Sequence, residues 1–168
     1  AFRAKASQAT AALQQGHAGY RALWRHFVDL SIHEVKQDIA VFDVNFDLWL
    51  GESDVQSIMP QLVQNMIDQG KAHLSEGALI LPIVDAKGKE MVPVMLRKSD
   101  GGATYHTSDL ATISMRAQEQ ANSMLYVVDA RQEMHFKQVF AGAHQSEMIS
   151  QDIHLEHIKF GTINGADG

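Results

Sequence analysis

The stretch MLYVVDARQEMHFKQVF, residues 124–140, decides the fold of this chain. It opens with an uninterrupted apolar run from Met124 to Val128. Such a run is typical of a parallel-sheet strand whose two faces are both covered by helices. A polar turn, residues 129–132, follows the run and leads into a helical pattern. Because open α/β sheets bind ligands at the carboxyl ends of their strands, this turn is predicted to line a site. Capping of the next helix is the alternative interpretation of each polar residue taken alone.

The segments on either side of this stretch extend the pattern to strand, helix, strand, helix, strand over residues 104–160. We expect a strand from Thr104, a helix from about Asp109 to Gln120 and a final strand over residues 154–160. Earlier in the chain, apolar runs at 78–84 and 91–96 flank a polar loop, which predicts an antiparallel hairpin. The alternation predicts an α/β fold with the hairpin inserted between two halves of a parallel sheet.

The first part of the chain is predicted to be mostly helical. Residues 1–16 favour a helix by propensity, and a longer helix from Tyr20 is expected to place Trp24 and Phe27 against the core. Residues 42–48 alternate and predict a strand, and Ser53 or Ser57 is expected to cap the helix that follows. We therefore divide the chain into a helical segment (1–45), an insertion-like region of strand, helix and hairpin (46–100) and the second half of an α/β fold (101–168).

Composition excludes several classes of protein. The 168 residues include 45% hydrophobic and 20% charged side chains, as expected of a globular domain, and contain no cysteine. No apolar run approaches a membrane span and no signal peptide opens the chain, so we expect a cytoplasmic protein. A net charge of −6 disfavours nucleic-acid binding by this chain alone. Because both ends have the composition of interrupted elements, with a turn at residues 164–168, we expect a fragment.

A small set of polar side chains could bind a ligand. Tyr105 and Asp109 lie four residues apart at the predicted strand–helix junction. A carboxylate beside a phenol can hold a cation such as guanidinium or ammonium, and Gln132 could add an acceptor. The alternative for Asp109 is an interaction with the helix dipole. Asp129 and His135 could instead face a nucleotide, although His135 could also be an ordinary hydrogen-bonded helix residue.

The sequence lacks the residues needed for a phosphate-binding loop, a nucleophilic serine or a metal site. The paired glycines at 101–102 match no phosphate-binding fingerprint, and no serine lies in a nucleophile elbow. His26 and His33 lie seven residues apart on a predicted helix, whereas a helical metal pair is usually four apart. His154 and His157 lie three apart on a predicted strand, where their side chains point to opposite faces. We therefore predict neither a metal site nor a covalent hydrolase.

Five motifs, in order along the chain, closely resemble the catalytic domain of class I arginyl-tRNA synthetases. They are FDLWLGES (46–53), KSDGG (98–102), YHTSDLA (105–111), YVVDARQ (126–132) with His135-Phe136, and FGTING (160–165). The resemblance implies part of a Rossmann-type domain that joins arginine to ATP and passes the arginyl group to tRNA(Arg). It further implies that Tyr105, Asp109 and Gln132 line the arginine pocket, with Asp129, His135 and the backbone around Phe160 on the adenosine side.

The same resemblance implies what else the reaction requires. Mg²⁺ is expected to accompany ATP, without a structural metal in the protein. The HIGH-type motif and the lysine loop of KMSKS type are expected before residue 1 and after residue 168, so the chain is expected to contain no catalytic residue. We expect the fragment alone to be inactive and not to bind tRNA. One alternative is a synthetase-derived, non-catalytic module that binds an amino acid or a nucleotide. A second alternative is a nucleotidyl-transferring α/β protein with a different substrate. Tyr105 and Asp109 argue against it.

Overall fold

The computed structural model describes residues 2–162 and residue 165, and the chain divides into two units, Ala1–Trp49 and Leu50–Gly168. Of the turn predicted over residues 164–168, only Gly165 is among the described residues. Ile163 and Asn164, which belong to the last motif, also lie outside them.

The first unit consists mainly of two helices, α1 (Phe2–Gln14) and α2 (Ala18–Ala40). Gly16 lies between them with φ of +94°, a conformation that glycine adopts without steric cost. Both predicted helices are confirmed. The predicted burial of Trp24 and Phe27 is wrong for the residues the structure describes, because no α2 residue is buried there and Phe27 is 57% exposed. Helical periodicity identified an apolar face, but this unit has too few elements to cover it.

The strand predicted over residues 42–48 is also wrong. These residues form turns and irregular chain, and their large apolar side chains are exposed. A strand requires a neighbour for its backbone hydrogen bonds, and the described residues offer these none. Phe46 instead packs edge-on against Trp49, with ring centroids 5.3 Å apart.

The second unit begins with a 3₁₀ turn (Glu52–Val55), α3 (Met59–Asp68) and a three-stranded antiparallel sheet in the order β1-β2-β3. The strands are β1 (His73–Ser75), β2 (Ala78–Leu81) and β3 (Val94–Arg97). The predicted hairpin is confirmed as β2 and β3, with both strands shorter than the apolar runs because Pro82 and Pro93 flank the ladder. Neither Ser53 nor Ser57 caps α3, whose N-terminal cap position is Ile58.

A strand–helix–strand unit completes the chain. α4 (Tyr105–Gln118) leads to β4 (Ser123–Asp129), a 3₁₀ turn (Ala130–Gln132), α5 (Glu133–Gln145) and β5 (His154–Phe160). β4 and β5 pair in parallel, which confirms an α/β fold with a helical crossover. The strand predicted from Thr104 is wrong. Helix α4 begins at Tyr105 because the threonines around it bond to β3 instead of forming a ladder.

One hydrophobic core holds these elements together. Its buried side chains include Leu81, Leu96, Leu110, Met124 and Val139, drawn from both sheets and from α4 and α5. The prediction that β4 is covered on both faces is wrong for the described residues. Met124 and Tyr126 are buried, whereas the alternating Leu125 and Val127 are 54% and 64% exposed. None of the described helices is long and apolar enough to cross a membrane.

Candidate functional site

The first turn of α4 is fixed to the antiparallel sheet by two hydroxyl groups. Thr104, just before the helix, donates its hydroxyl to the carbonyl of Met95. Thr107, which is fully buried, donates to the carbonyl of Leu96 at 2.6 Å. These bonds satisfy strand-edge carbonyls and set where the helix starts. As a result Tyr105 is the first helical residue, and its side chain is 58% exposed.

Asp109 lies one helical turn after Tyr105, so the two side chains share a face of α4. Its carboxylate oxygen Oδ2 is 2.6 Å from Nε2 of His135, which comes from α5. The side chain of Asp109 is 28% exposed and that of His135 is 10% exposed. Among the residues that the structure describes, the other carboxylate oxygen, Oδ1, has no hydrogen-bond partner. The site therefore presents an oriented carboxylate with one oxygen held and one open.

Three aromatic rings surround this carboxylate. Tyr105 stacks on His106 with ring centroids 4.3 Å apart and lies 4.8 Å from the ring of His135. The rings of His106 and His135 are 4.7 Å apart. Burial lowers the pKa of His106 below its ordinary value of 6.5. An uncharged His106 leaves the negative charge of Asp109 uncompensated, which favours a cationic ligand.

Asp129 ends β4 and is occupied by a near neighbour. Its carboxylate accepts hydrogen bonds from the backbone N–H of Arg131 at 2.7 Å and from the Arg131 guanidinium at 3.0 and 2.9 Å. These bonds hold the pKa of Asp129 below its ordinary value. Asp129 therefore caps the N-terminus of the 3₁₀ turn, as the alternative interpretation of this residue predicts.

Phe160 lies directly opposite Asp129 in the parallel ladder, at the carboxyl end of β5. Nearby, the Nε2–H of His157 donates to the carbonyl of Val128 at 2.9 Å, which fixes its ring against Phe136. Phe160 is about half exposed. Asp129 and Phe160 therefore meet at the edge of the sheet where α/β proteins bind ligands.

Gln132 is the N-cap residue of α5, the helix that carries His135. It is exposed, ends the 3₁₀ turn and precedes His135 by three positions, so it lies on the same side of α5 one turn earlier. Within the described residues its amide makes no hydrogen bond to Tyr105 or Asp109. The exposed amide is therefore engaged by neither of these residues.

The structure thus brings Tyr105, Asp109 and His135 together, and separately pairs Asp129 with Phe160. Sequence reasoning put His135 with Asp129, yet its ring hydrogen-bonds to Asp109 on the neighbouring helix. His106 was not singled out at all, although it follows Tyr105 directly and its two ring nitrogens are buried without a partner among the described residues. The signal that could have identified it was its place inside the Tyr105–Asp109 motif.

Two shallow surface grooves lie elsewhere on the second unit. One, of about 300 Å³, runs between the hairpin arms and Gln145, and the other, of about 230 Å³, is lined by Glu133, Phe136 and Lys159. Neither groove is lined by Tyr105 or Asp109. In the part of the chain that the structure describes, no group of three or more histidine, aspartate and glutamate side chains could hold a metal ion.

Sequence comparisons identify a single family. A family model described as "tRNA synthetases class I (R), catalytic domain" matches residues 1–168. An arginine–tRNA ligase from Hyphomonas neptunium is 49% identical over 168 residues, covering 98% of this chain and 28% of the ligase. An arginine–tRNA ligase from Francisella tularensis subsp. novicida is 43% identical over 165 residues, with the same coverage of 98% and 28%. The chain therefore spans about 28% of the length of these relatives.

Solved structures share the fold. The arginyl-tRNA synthetase of Plasmodium falciparum superposes with a TM-score of 0.81 at 23% identity, over 91% of this chain and 27% of that one. A putative arginyl-tRNA synthetase of Campylobacter jejuni gives a TM-score of 0.72 at 13% identity, over 88% of this chain and 32% of the other. At these identities the two structures show similarity of fold alone.

Proposed function

The chain belongs to the family of class I arginyl-tRNA synthetase catalytic domains, and on that premise we propose that it is part of an arginine–tRNA ligase. The complete ligase activates arginine with ATP to arginyl-adenylate, releases pyrophosphate and transfers the arginyl group to tRNA(Arg). This chain supplies part of the amino-acid pocket and part of the adenosine site. The ligase acts in the cytoplasm.

One observation carries the proposal: the Asp109 carboxylate has one oxygen held by His135 and the other open beside Tyr105. A guanidinium group presents paired N–H donors that match a carboxylate in geometry and charge. The exposed Tyr105 ring offers a π-face and a hydroxyl, and Gln132 offers an amide oxygen. Arginine is the amino acid whose side chain uses all three groups.

The adenosine side of the site is proposed to include Asp129 and Phe160. Support comes from their pairing at the carboxyl ends of adjacent parallel strands. The Arg131 guanidinium already holds the Asp129 carboxylate, so a ribose hydroxyl would share that carboxylate with it. The sequence also predicts His135 on this side, but its ring hydrogen-bonds to Asp109 instead.

The remaining requirements of the reaction are proposed to come from other parts of the ligase. Mg²⁺ would arrive with the ATP phosphates, because this ion is usually bound through substrate phosphates and one or two carboxylates. Binding of tRNA is likewise assigned to the complete ligase, because this chain spans about 28% of its relatives and carries a net charge of −6.

ATP–pyrophosphate exchange tests the proposal. In the complete ligase, exchange should depend on arginine and not on lysine. Asp109→Ala should lower kcat/KM for arginine by about 10- to 100-fold, as expected when a charge-assisted hydrogen bond is lost. Exchange that is independent of arginine, or unaffected by Asp109→Ala, contradicts the proposal.

The isolated 168-residue chain should show no exchange. Class I synthetases activate their amino acid by positioning the substrates and by stabilising the charge that develops around phosphorus. The arginine pocket alone does not provide this stabilisation. Arginine-dependent exchange by the isolated chain would overturn this expectation. Arginine binding by a complete protein that lacks exchange would favour the non-catalytic module instead.

A further inference from the structure

We propose that His135 is a positioning residue for the arginine-binding carboxylate: as a neutral Nε2–H donor it holds Asp109, leaving the second oxygen and the full negative charge to the substrate. This inference rests on the proposed function and deepens it. His135 thereby acts on the arginine side of the site, and not on the adenosine side where its place in the sequence put it.

The geometry assigns His135 to Asp109. The distance from Nε2 to Oδ2 is 2.6 Å, a short contact typical of a charge-assisted hydrogen bond. The bond joins α5 to α4 across 26 residues of sequence, and the imidazole side chain is only 10% exposed. Packing against Tyr105 and Phe136, with centroids 4.8 and 5.2 Å away, fixes the ring in this orientation.

The other ring nitrogen identifies the tautomer. Nδ1 of His135 is buried and has no hydrogen-bond partner among the described residues. An imidazolium would place an N–H at Nδ1 with nothing to accept it, which is costly in a buried position. A neutral ring needs only the Nε2–H, which Asp109 accepts. His135 therefore positions the carboxylate without adding a positive charge that would compete with guanidinium.

The neighbouring rings reinforce this arrangement. His106 lies 4.7 Å from His135, and burial lowers its pKa, so it too is uncharged near neutral pH. Asp109 therefore faces two neutral imidazoles and the Tyr105 phenol. A lysine or arginine at position 135 would reach the same carboxylate but neutralise it. A histidine restrained to its neutral tautomer orients the carboxylate and preserves its charge.

The test measures KM for arginine and KM for ATP separately in the complete ligase. His135→Phe keeps an aromatic ring but removes the donor, and should raise the arginine KM by about tenfold while changing the ATP KM by less than about twofold. His135→Gln places an amide N–H near the position of Nε2 and should restore most of the lost affinity. His144→Phe is the matched control, because His144 also lies on α5 but has no carboxylate partner among the described residues. This variant should leave both KM values unchanged.

Each outcome decides a different claim. If His135→Phe raises the ATP KM instead, or if His135→Gln fails to restore arginine affinity, the positioning role is wrong. Asp109→Asn serves as the reference, because an unchanged arginine KM in that variant would refute the proposed function itself. Nitrogen chemical shifts of the His135 ring give a readout independent of activity. They should report an Nε2–H tautomer, and a proton on Nδ1 would overturn the inference.

Discussion

His106 is the residue whose environment departs furthest from what its place in the sequence indicates. It lies in the first turn of α4, yet both of its ring nitrogens are buried without a partner in the described part of the chain. Desolvation explains the lowered pKa, since a buried imidazolium loses more hydration than a neutral ring. The folded protein therefore binds a proton at His106 less readily than the unfolded chain does.

This difference predicts acid sensitivity. Because the folded-state pKa lies below 6.5, the unfolded chain takes up the proton first as the pH falls, and stability decreases with pH from about 6.5 downward. His106→Phe keeps the ring stack with Tyr105 and removes this titration. The melting temperature of the variant should therefore fall less than that of the wild type between pH 7.5 and pH 5, which lie about one unit above and about 1.5 units below an ordinary histidine pKa.

Thermal melts at the two pH values check the expectation. His73→Phe, at an exposed histidine on β1, is the matched control and should melt with the pH dependence of the wild type. If His106→Phe retains the full pH dependence, burial of this imidazole does not contribute to acid sensitivity.

The sequence predicts which residues could form the site, but it does not predict the contacts between them. The spacing of Tyr105 and Asp109 and their residue types indicated a cation pocket, and helical geometry places both on one face. The contact between His135 and Asp109 spans 26 positions and depends on how α5 packs on α4. No local pattern encodes that packing, so His135 could be predicted as a polar residue near a strand end but not as the partner of Asp109.

At the scale of elements, two glutamines attach α5 to the hairpin. Gln145 accepts from the backbone N–H of Val84 at 2.9 Å and donates to its carbonyl at 2.7 Å. Gln138, seven residues earlier on the same helical face, donates to the carbonyl of Val92 at 2.9 Å. These bonds satisfy backbone groups where Pro82 and Pro93 interrupt the ladder. One amide on each side of the loop thus fixes the hairpin to the strand–helix–strand unit.

Substitution of Gln145 tests this attachment. Gln145→Ala should lower the free energy of unfolding by about 1 kcal/mol, the usual net value of such hydrogen bonds. It should also speed hydrogen exchange at the Val84 amide. Gln145→Glu should be more destabilising at pH 7, because a carboxylate faces the Val84 carbonyl. Its deficit should shrink below about pH 4, where the protonated acid can donate again.

Denaturant unfolding at both pH values, together with exchange at Val84, measures these effects. Gln56→Glu, at an exposed glutamine without a side-chain hydrogen bond in the described region, provides the control for added charge. Unchanged exchange at Val84 in Gln145→Ala would show that the side chain does not hold the hairpin.

Elements were predicted well where a partner lies nearby in sequence. β4, α5 and β5 form one local crossover, and the hairpin strands are joined by a single loop. The strand expected over residues 42–48 failed because alternation records which side chains prefer burial, whereas a ladder also needs a second strand. The same reason explains β4: its continuous apolar run indicated two covered faces, while the described residues cover only one.

At the scale of the whole molecule, the proposed arginine side of the site is divided between α4 and the turn before α5. Tyr105, Asp109 and Gln132 line neither of the two grooves of about 300 and 230 Å³. The chain spans about 28% of its relatives, so we assign substrate enclosure to the complete ligase. We propose that the charge of Asp109 selects the guanidinium group.

Calorimetric titration of the complete ligase with arginine and with citrulline, its neutral isostere, tests that claim most directly. Paired with Asp109→Asn, the two ligands form a cycle that isolates the interaction between the two charges. The wild type should bind arginine at least about 10-fold more tightly than citrulline, and Asp109→Asn should reduce that preference to within about twofold. A preference for arginine that survives Asp109→Asn unchanged would contradict the assignment of Asp109 to the arginine side chain.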